Sequence, residues 1–291
     1  MKRIMLCVLA IVAVSCQQDA SESEMDSRTG AQEWTELFNG RDLSGWVPKI
    51  RGEPLGSDVR ETFRVENDLL TVRYDAYDVD KGFEDTFGHL FYEAPLGAYE
   101  LVIEYRFIGS QFKGGPDWAR SNSGVMFHGQ DPETMGLDQD FPISLEVQFL
   151  GGEAGEIRPT ANLCTPGTHV EIEGVQITQH CIDASAPTIP DSTWVSVTIF
   201  AGADGSVQHI IGGETVLAYK RPVVGGGEVS EVADGAPESG FLLTDGFIAL
   251  QSESHPIQFR RIAMRPLLDE QSGGADSDVR AVGFALTLPG A

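Results

Sequence analysis

The sequence has few basic residues for its length. Its 291 residues include 20 lysines and arginines against 44 aspartates and glutamates, which gives a formal net charge of −24. Nucleic-acid binding needs a basic surface against the phosphates, so this balance argues against a nucleic-acid partner. It also disfavours electrostatic docking on an anionic lipid surface.

Long apolar runs and long helical patterns are also missing. The apolar stretch 4–14 follows Lys2 and Arg3 and is shorter than the ~20 residues that a membrane-spanning helix needs. A basic start followed by a short apolar stretch is typical of a secretory signal peptide. Residues 13–16, Ala-Val-Ser-Cys, resemble a bacterial lipobox, in which Cys16 would be lipidated. Ordinary signal cleavage nearby, with Cys16 left as a thiol, is the alternative.

Cysteine is scarce, with four in the chain. One lies in the predicted signal peptide and Cys16 in the lipobox, which leaves Cys164 and Cys181. In an exported, oxidising compartment such a pair predicts a disulfide. A metal site formed by these two cysteines with His169 and His180 is the alternative, although the sequence lacks the CxxC pair common in zinc sites.

The composition predicts four regions. Residues 1–16 form the signal peptide and lipobox, 17–33 a polar and acidic flexible tether, 34–267 one domain, and 268–291 a polar, glycine-rich tail. We therefore expect an exported protein, lipid-anchored on the periplasmic or cell-surface side of a bacterial membrane. The membrane would be contacted only through that anchor.

Strand signals dominate the predicted domain. Residues 99–107, 143–150 and 195–199 alternate apolar and polar side chains with a period of two. The turn residues 66–68 predict a hairpin between the strands that flank them. Shorter strands are predicted at 123–128, 207–211, 214–219, 246–251 and 257–264. Many short strands, each with one polar face, predict an all-β fold, a two-sheet antiparallel sandwich or jelly roll.

The strand at 143–150 carries the first candidate site residues. With its apolar residues facing the core, Glu146 and Gln148 share the opposite face, because side chains alternate along a strand. A carboxylate beside an amide on an open sheet face suits sugar binding or proton transfer. A solvated outer face on an edge strand is the alternative.

A second group surrounds the strand at 123–128. Arg120 and Asn122 precede this strand and could donate hydrogen bonds to a substrate at a sheet edge, although Asn and Ser before Gly often only make a turn. His128 ends the strand and has a pKa suited to acid–base chemistry near neutrality. A purely structural histidine is the alternative.

A third group follows the strand at 246–251. Gln251, Glu253 and His255 alternate, so in extended backbone they would lie on one side. Together with Glu146 they would supply two carboxylates and an imidazole, a set able to act as base and acid or to bind a divalent metal. An exposed loop is the alternative.

The catalytic signatures of several enzyme classes are absent. Residues 146–151, Glu-Val-Gln-Phe-Leu-Gly, lack the second and third acids of the Glu-x-Asp-x-x-Glu strand of laminarinase-type glycosidases. A retaining mechanism needs two carboxyl groups ~5–5.5 Å apart, which this strand alone does not supply. There is no Gly-x-Ser-x-Gly elbow, P-loop or His-Glu-x-x-His motif.

Five short motifs resemble, in order, those of the 3-keto-disaccharide hydrolase family. The opening signature is similar to residues 34–46, WTELFNGRDLSGW, and the Asn-Ser-Gly strand to 122–125. The Glu-x-Gln strand is similar to 145–148, and the closing strands to 246–251 and 259–262. Leu145 and Arg261 depart from the usual Tyr and Asn, and the insert 151–193 indicates a subgroup.

The resemblance implies a concanavalin A-like jelly roll that cleaves glycosides already oxidised at C3. A 3-ketone acidifies the C2 proton, so a base can remove it, the C1 substituent leaves, and water adds. In this hypothesis Glu146 or His255 is the base and Glu253 or His128 the acid. The substrate-binding candidates are Arg120, Asn122, Gln148 and Gln251.

The implied partner is an oligosaccharide or 3-keto-glycoside, and no cofactor is certain. A divalent metal could replace the groups that stabilise the enolate oxygen. The same fold also hosts non-catalytic sugar-binding proteins, so a lectin-like surface lipoprotein is the main alternative, and a structural lipoprotein a further one. In the opening motif, Trp46 is interpreted as a packing residue rather than a sugar platform.

Overall fold

In a computed structural model of the protein, the described residues are 32–153, 155–227 and 229–267. The signal peptide, Cys16, nearly all of the 17–33 segment and the 268–291 tail lie outside them. The chain divides into a first unit, Met1–Trp34, and a second unit, Thr35–Ala291, to which all the strands below belong. No helix in the described part of the chain is long and apolar enough to cross a membrane.

The described residues form seventeen β-strands and two short 3-10 helices, Asp117–Ala119 and Pro132–Thr134. The strands, in chain order, are β1 Thr35–Glu36, β2 Trp46–Ile50, β3 Phe63–Glu66, β4 Leu69–Val72, β5 Gly88–Tyr92, β6 Tyr99–Phe107, β7 Asn122–Gly129, β8 Leu145–Leu150, β9 Asn162–Cys164, β10 Thr168–Ile172, β11 Val175–Ile177, β12 Cys181–Ile182, β13 Val195–Ala201, β14 Ser206–Ile211, β15 Glu214–Val224, β16 Phe247–Ser252 and β17 Ile257–Pro266.

These strands form two sheets. The ten-stranded sheet has the order β11-β10-β15-β14-β13-β6-β17-β4-β3, with β1 added beside β17. The seven-stranded sheet has the order β12-β9-β8-β7-β16-β5-β2. Every pairing between these strands is antiparallel. The predicted all-β, two-sheet jelly roll is thus confirmed.

The two sheets pack face to face through the apolar residues that the alternation predicted to point inward. The rings of Tyr105 on β6 and Phe149 on β8 stack with centroids 4.1 Å apart, which joins the two sheets directly. Leu145 and Val147 are fully buried in the same core. The inward face of the strand at 143–150 was therefore predicted correctly.

The predicted hairpin at 66–68 is confirmed. Phe63 pairs with Val72, and Glu66 pairs with Leu69 at the turn. Asn67 and Asp68 have φ values of 51° and 63°, as a two-residue type I′ turn requires, because its twist matches that of the flanking strands. Asn and Asp adopt this left-handed conformation more readily than most residues.

The opening motif packs as the sequence indicated. Leu37, Phe38 and Trp46 are buried in the core. The indole Nε1 of Trp46 donates to the carbonyl oxygen of Leu37 at 2.9 Å, which satisfies its polar atom inside the protein. Since this ring is only 6% exposed, it offers no surface to a sugar.

Several strands were not predicted. β2 contains Pro48, which breaks the usual strand signal, yet it lies at the sheet edge, where proline is tolerated. The strands of the insert, β9 to β12, are two to five residues long. Segments this short show no measurable periodicity, so only pairing with long neighbours identifies them.

Candidate active site

The outer face of the seven-stranded sheet, away from the core, carries the candidate site. β8 lies between β7 and β9, so it is an interior strand and not the exposed edge strand of the alternative interpretation. Glu146 is paired in register with Met126 on β7 and with Cys164 on β9. Paired residues of neighbouring strands share a face, which places the Cys164 side chain next to the Glu146 carboxyl.

A cavity of about 590 Å³ opens on this face. The sheet forms its floor, the insert 151–193 one wall, and the loop between β15 and β16 another. Its lining residues are Trp118, Asn122, Asp140, Phe141, Glu146, Gln148, Cys164, Pro166, His180, Cys181, Val229, Ser230 and Glu253. Concave sites of this size are typical of small-ligand binding.

Gly124 gives the Glu146 side chain its position. A Cβ atom on Gly124 would lie 2.5 Å from Oε1 of Glu146, so any other residue at this position would force the Glu146 side chain to move. The carboxyl group therefore lies across β7 in the space that the glycine leaves free, towards β16, the next strand of the sheet. This explains physically why a glycine follows Asn-Ser in the motif at 122–124.

Glu146 and Glu253 form a buried carboxyl pair. Glu146 is 6% exposed and Glu253 3%, and Oε2 of Glu253 has no hydrogen-bond partner among the described residues. Burial raises the pKa of Glu146 to about 8. Burial, and then the negative charge of Glu146, raise the pKa of Glu253 well above its usual range. Both shifts have the same direction, so the pair retains protons to a higher pH than free carboxyl groups do.

Two amide side chains complete the polar floor. Oε1 of Gln148 accepts from Nδ2 of Asn162 at 3.1 Å, so Gln148 keeps its N–H donors for a ligand. Nδ2 of Asn122 donates to the carbonyl oxygen of Trp118 at 3.4 Å, while its buried Oδ1 has no partner in the described part of the chain. One amide thus offers donors and the other an acceptor, as a sugar hydroxyl or ketone would require.

Trp118 supplies an aromatic surface at the cavity. The ring is 52% exposed and stacks on Phe87, with centroids 5.9 Å apart and planes inclined by 21°. Buried Phe87 thus holds the indole from behind. Sequence analysis missed Trp118, although a tryptophan in a Gly-Gly-Pro-Asp loop before the Asn-Ser-Gly motif is a recognisable binding signal.

Four of the eight predicted catalytic and substrate-binding residues line this cavity: Asn122, Glu146, Gln148 and Glu253. The cavity wall residues His180, Asp140 and Ser230 were not predicted for this site. Oδ1 and Oδ2 of Asp140 accept from N and Oγ of Ser230 at 2.8 and 2.7 Å, which fixes the wall loop. These contacts join distant segments, so no local sequence signal predicts them.

His255 is not among the lining residues. Ser254 has a φ of 88°, which turns the backbone, so His255 does not continue the alternation of Gln251 and Glu253. Its Nδ1 instead accepts from the backbone N–H of Ser121 at 3.0 Å, and its ring lies edge-on to Phe107 in the core. Burial lowers the pKa of His255 to about 4. We therefore do not carry it forward as the base.

His128 is also turned away from the cavity. Its φ is 46°, and β7 and β16 shift register beside it. Its ring lies beside those of Phe127 and Tyr99, with centroids 5.3 and 6.0 Å away, and burial lowers its pKa to about 4. A neutral histidine packed in the core cannot act as an acid on a ligand in the cavity.

Arg120 and Gln251 lie near the site without lining it. Nη2 of Arg120 donates to Oε1 of Glu156 at 2.6 Å, so this guanidinium is engaged by the insert. Gln251 is 1% exposed and is paired in register with His89 on β5. The predicted ligand contacts of both residues therefore have no support from their positions.

The predicted disulfide between Cys164 and Cys181 is confirmed. The two residues lie opposite each other on β9 and β12 and line the cavity. Their sulfurs and a ring nitrogen of His180 lie within 4.8 Å of one another. Zinc binds thiolates rather than disulfide sulfur, so these atoms do not form the alternative metal site. His169 does not belong to this group.

Comparisons with known proteins place the chain by its sequence. The profile of the 3-keto-alpha-glucoside-1,2-lyase-like domain matches residues 33–265. No curated protein matches the chain.

Among solved structures, two candidate glycosyl hydrolases from Parabacteroides distasonis ATCC 8503 are similar. The first is 17% identical with a TM-score of 0.48, covering 81% of this chain and 100% of its own. The second is 19% identical with a TM-score of 0.47, covering 83% and 96%. A protein of unknown function with a galectin-like fold from Bacillus subtilis is 13% identical, with a TM-score of 0.47 and coverage of 80% and 94%.

Proposed function

The chain belongs to the 3-keto-α-glucoside-1,2-lyase-like family, and from this premise we propose that its cavity cleaves glycosides oxidised at C3 of the sugar. Family membership makes it a carbohydrate-active protein of the glycosyl hydrolase kind. The observation that carries the finer proposal is the buried carboxyl pair Glu146 and Glu253. Elimination from a 3-keto-glycoside needs one base and one acid, and two neighbouring carboxyl groups, one ionised and one protonated, can supply both.

The proposed first half-reaction is an elimination. Ionised Glu146 removes the C2 proton, which the 3-ketone acidifies, and electron density moves onto the ketone oxygen as an enolate. Protonated Glu253 gives its proton to the glycosidic oxygen as the C1–O bond breaks. The alcohol leaves, and the sugar keeps a C1=C2 double bond conjugated with the ketone.

Hydration then returns both carboxyls to their starting states. Glu253, now ionised, takes a proton from a water molecule whose oxygen bonds to C1. The proton on Glu146 exchanges with water, and Glu146 then delivers a solvent-derived proton to C2. The sum of both steps is hydrolysis of the glycoside, with no net change in the protein.

The other lining residues suit binding of the sugar. The Gln148 amide can donate to the ketone oxygen, where negative charge develops, and such a donor lowers the barrier because it stabilises the enolate. Oδ1 of Asn122 can accept from a hydroxyl. The exposed face of Trp118 can stack on the apolar face of the sugar ring.

A deuterium experiment tests this route. In D2O, elimination and hydration should place one deuterium at C2 of the released sugar, whereas direct hydrolysis leaves C2 unlabelled. The same sugar incubated without protein corrects for spontaneous exchange. Cleavage of a 3-keto-glucoside, with C2 labelling and no cleavage of its unoxidised parent, is the expected result. Cleavage of neither compound, with sugar binding retained, would favour the lectin-like alternative.

The carboxyl pair also favours a second candidate, direct hydrolysis of an unoxidised glycoside. The sequence argument against a two-carboxylate mechanism considered one strand, and the structure brings the second carboxyl from beyond β16. Two carboxyls on either side of a glycosidic bond are the usual machinery of glycosidases. Cleavage of the parent glycoside without C2 labelling would support this candidate.

Binding of a divalent metal at this site is an alternative to the acid role of Glu253, because a carboxyl that ligates a cation is ionised. Carboxyl oxygens of Glu146 and Glu253, with Oδ1 of Asn122, are the hard oxygen ligands that Mg²⁺ or Ca²⁺ prefers. A cation there would stabilise the enolate oxygen. Turnover measured before and after EDTA treatment, and after adding back each metal, tests this point; unchanged turnover in EDTA would remove the metal.

We also propose export and lipid anchoring through Cys16, which the sequence alone supports. Expression in a bacterium with labelled palmitate should give a labelled, membrane-associated protein. The Cys16→Ala protein should be unlabelled and recovered in the soluble fraction. An unlabelled wild-type protein would contradict the proposed anchor.

A further inference from the structure

We propose that Arg158, in the insert 151–193, is a positioning residue that holds the segment 118–122 so that Trp118 and Asn122 face the cavity. The proposal rests on the function above only in treating these two residues as sugar contacts. Arg158 itself does not line the cavity, so any effect on a ligand must pass through the segment that it binds.

Asn122 begins β7, but the residues before it in the segment 118–122 have little regular structure to hold them in place. Its beginning belongs to a 3-10 helix of three residues, Asp117–Ala119. Ser121 then has a φ of 43°, a left-handed conformation that is unfavourable for a non-glycine residue. Such a conformation persists only where surrounding contacts maintain it.

Arg158 binds two backbone carbonyls of this segment and one of the insert. Its Nη1 donates to the carbonyl oxygen of Ser121 at 3.0 Å and also to that of Gly151. Its Nη2 reaches the carbonyl oxygen of Trp118 at 3.4 Å. The planar guanidinium, with donors in a fixed fork, can hold several carbonyls at once, which the single ammonium of lysine does less well.

Other residues of the insert bind the same segment. Oδ2 of Asp191 accepts from the Ser121 hydroxyl at 2.8 Å, and the backbone N–H of Gly151 donates to the Ser121 carbonyl at 2.9 Å. Arg120 is paired with Glu156. The insert, to which the sequence assigned no role, thus contacts Trp118, Arg120 and Ser121 but not Ala119 or Asn122 in these bonds.

The backbone of Arg158 is itself fixed within the insert. Its N–H donates to Oγ1 of Thr188 at 2.7 Å, and that hydroxyl donates to the carbonyl oxygen of Glu156 at 2.7 Å. The two ends of the insert are therefore tied together beneath the guanidinium. A change at Arg158 should disturb the segment 118–122 more than the insert.

The test uses 5-fluorotryptophan and ¹⁹F NMR on the full chain. The protein has four tryptophans, and the signal of Trp118 is assigned with a Trp118→Phe variant. We expect Arg158→Ala to shift or broaden the Trp118 signal and leave those of Trp46 and Trp194 unchanged. Arg73→Ala, which removes an arginine paired with Glu66 on the other sheet, is the matched control.

Kinetics with a 3-keto-glucoside give a second measurement. Arg158→Ala should raise KM about tenfold or more with a smaller change in kcat, since misplacement weakens binding of the sugar. Millimolar guanidinium ion should restore both KM and the ¹⁹F signal, because it can occupy the vacated site. Arg158→Lys, which keeps the charge, should show the same ¹⁹F change in weaker form.

The outcomes are distinct. An unchanged Trp118 signal in both Arg158 variants would overturn the proposal. Equal changes at all tryptophans in both variants, without rescue by guanidinium, would mean that Arg158 supports the fold in general and would also overturn it. If the wild-type protein turns over no 3-keto-glucoside, the proposed function fails, while the ¹⁹F arm still decides the role of Arg158.

Discussion

The carboxylates on the outer faces of the two sheets differ in their burial and in their ion pairs. On the ten-stranded sheet, Glu104 of β6 pairs with Arg260 of β17, and Glu100 pairs with Arg265 at 2.6 Å. On the seven-stranded sheet, Glu146 and Glu253 are almost fully buried, the charge of Glu146 raises the pKa of Glu253, and no cation is among the groups that shift either pKa. Alternating strands produced both faces, and on the seven-stranded sheet the insert and the loop before β16 form walls around the carboxyl pair.

Two tryptophans repeat this contrast. Trp194, at the ten-stranded sheet, contacts the guanidinium groups of Arg106 and Arg260, which are 4.7 and 4.6 Å from its ring centre. Trp118 has Phe87 on one side and solvent on the other. The Trp194 ring is engaged by two arginines within the protein, whereas the Trp118 ring is 52% exposed. A charged residue is a candidate for function where the fold buries it without an oppositely charged partner. An aromatic residue is a candidate where part of its ring remains exposed.

The largest expected effect on turnover comes from replacing Glu146, and replacement of a carboxyl on the other sheet is its control. Glu146→Gln should reduce turnover of a 3-keto-glucoside by about a thousandfold, because the base is lost while the shape is kept. Glu104→Gln, on the other sheet, should change turnover less than twofold. Steady-state kinetics on both purified proteins measure this. Full activity in the Glu146→Gln protein would remove Glu146 from the mechanism. It would also mean that a carboxyl on the seven-stranded sheet matters no more for turnover than one on the ten-stranded sheet.

A smaller effect is expected at Glu253, and it should depend on the leaving group. Glu253→Gln should slow cleavage of a methyl 3-keto-glucoside about a hundredfold, because a poor leaving group needs its proton. A nitrophenyl 3-keto-glucoside, whose leaving group departs as the anion, should be slowed much less. Equal losses on both substrates would contradict an acid role, and Glu100→Gln is the matched control on the other sheet.

Removal of the open tryptophan should affect binding by about one order of magnitude. Trp118→Ala should raise the Kd for a 3-keto-glucoside about tenfold, equivalent to roughly 1.4 kcal/mol. Trp194→Ala should leave that Kd unchanged, since its ring is already covered by two arginines. Calorimetric titration of both variants gives the comparison. A similar loss of affinity in both would mean that the open face of Trp118 is not used.

The smallest expected effect is on stability, and it depends on pH. The pKa of Glu146 is raised from 4.5 to about 8 in the folded protein, so between these values the unfolded chain has lost a proton that the folded chain keeps. Stability of the wild type therefore falls as pH rises through this window. Glu146→Gln lacks the Glu146 contribution to this dependence and keeps that of Glu253, so its Tm should exceed that of the wild type by several degrees at pH 8 and by less at pH 5.

Thermal unfolding of both proteins at the two pH values measures this difference. A constant Tm difference would show that Glu146 is not ionised on unfolding in the way that its burial implies. Glu104→Gln, measured in parallel, reports the effect of losing one carboxyl from the other sheet.

The amino-acid sequence predicted the site residues on β7 and β8 better than it predicted the position of β8 in the sheet. Alternation placed Glu146 and Gln148 outward, and the Asn-Ser-Gly motif placed Asn122 on the neighbouring strand. Neither signal could show that β8 is an interior strand. That follows from the insert, whose strands β9 and β12 extend the sheet beyond β8 and are too short to be recognised by periodicity.

The two histidines show where alternation fails. His128 and His255 were assigned to the site on the assumption of extended backbone. A left-handed residue at His128 and another at Ser254 turn both rings towards the core. Neither a histidine nor a serine in a sequence predicts a left-handed conformation, because register shifts and contacts with other segments impose it.

Sequence alone determined which residues alternate, where the first hairpin turns, and which two cysteines join, because these follow from local backbone geometry and from the small number of cysteines. Tertiary structure alone decided that Glu253 lies beside Glu146, that both are buried, and that Trp118 stays open. Burial and pairing depend on segments far apart in the chain, here the sheet, the insert and the loop before β16. The chemistry of the cavity arises where these segments meet.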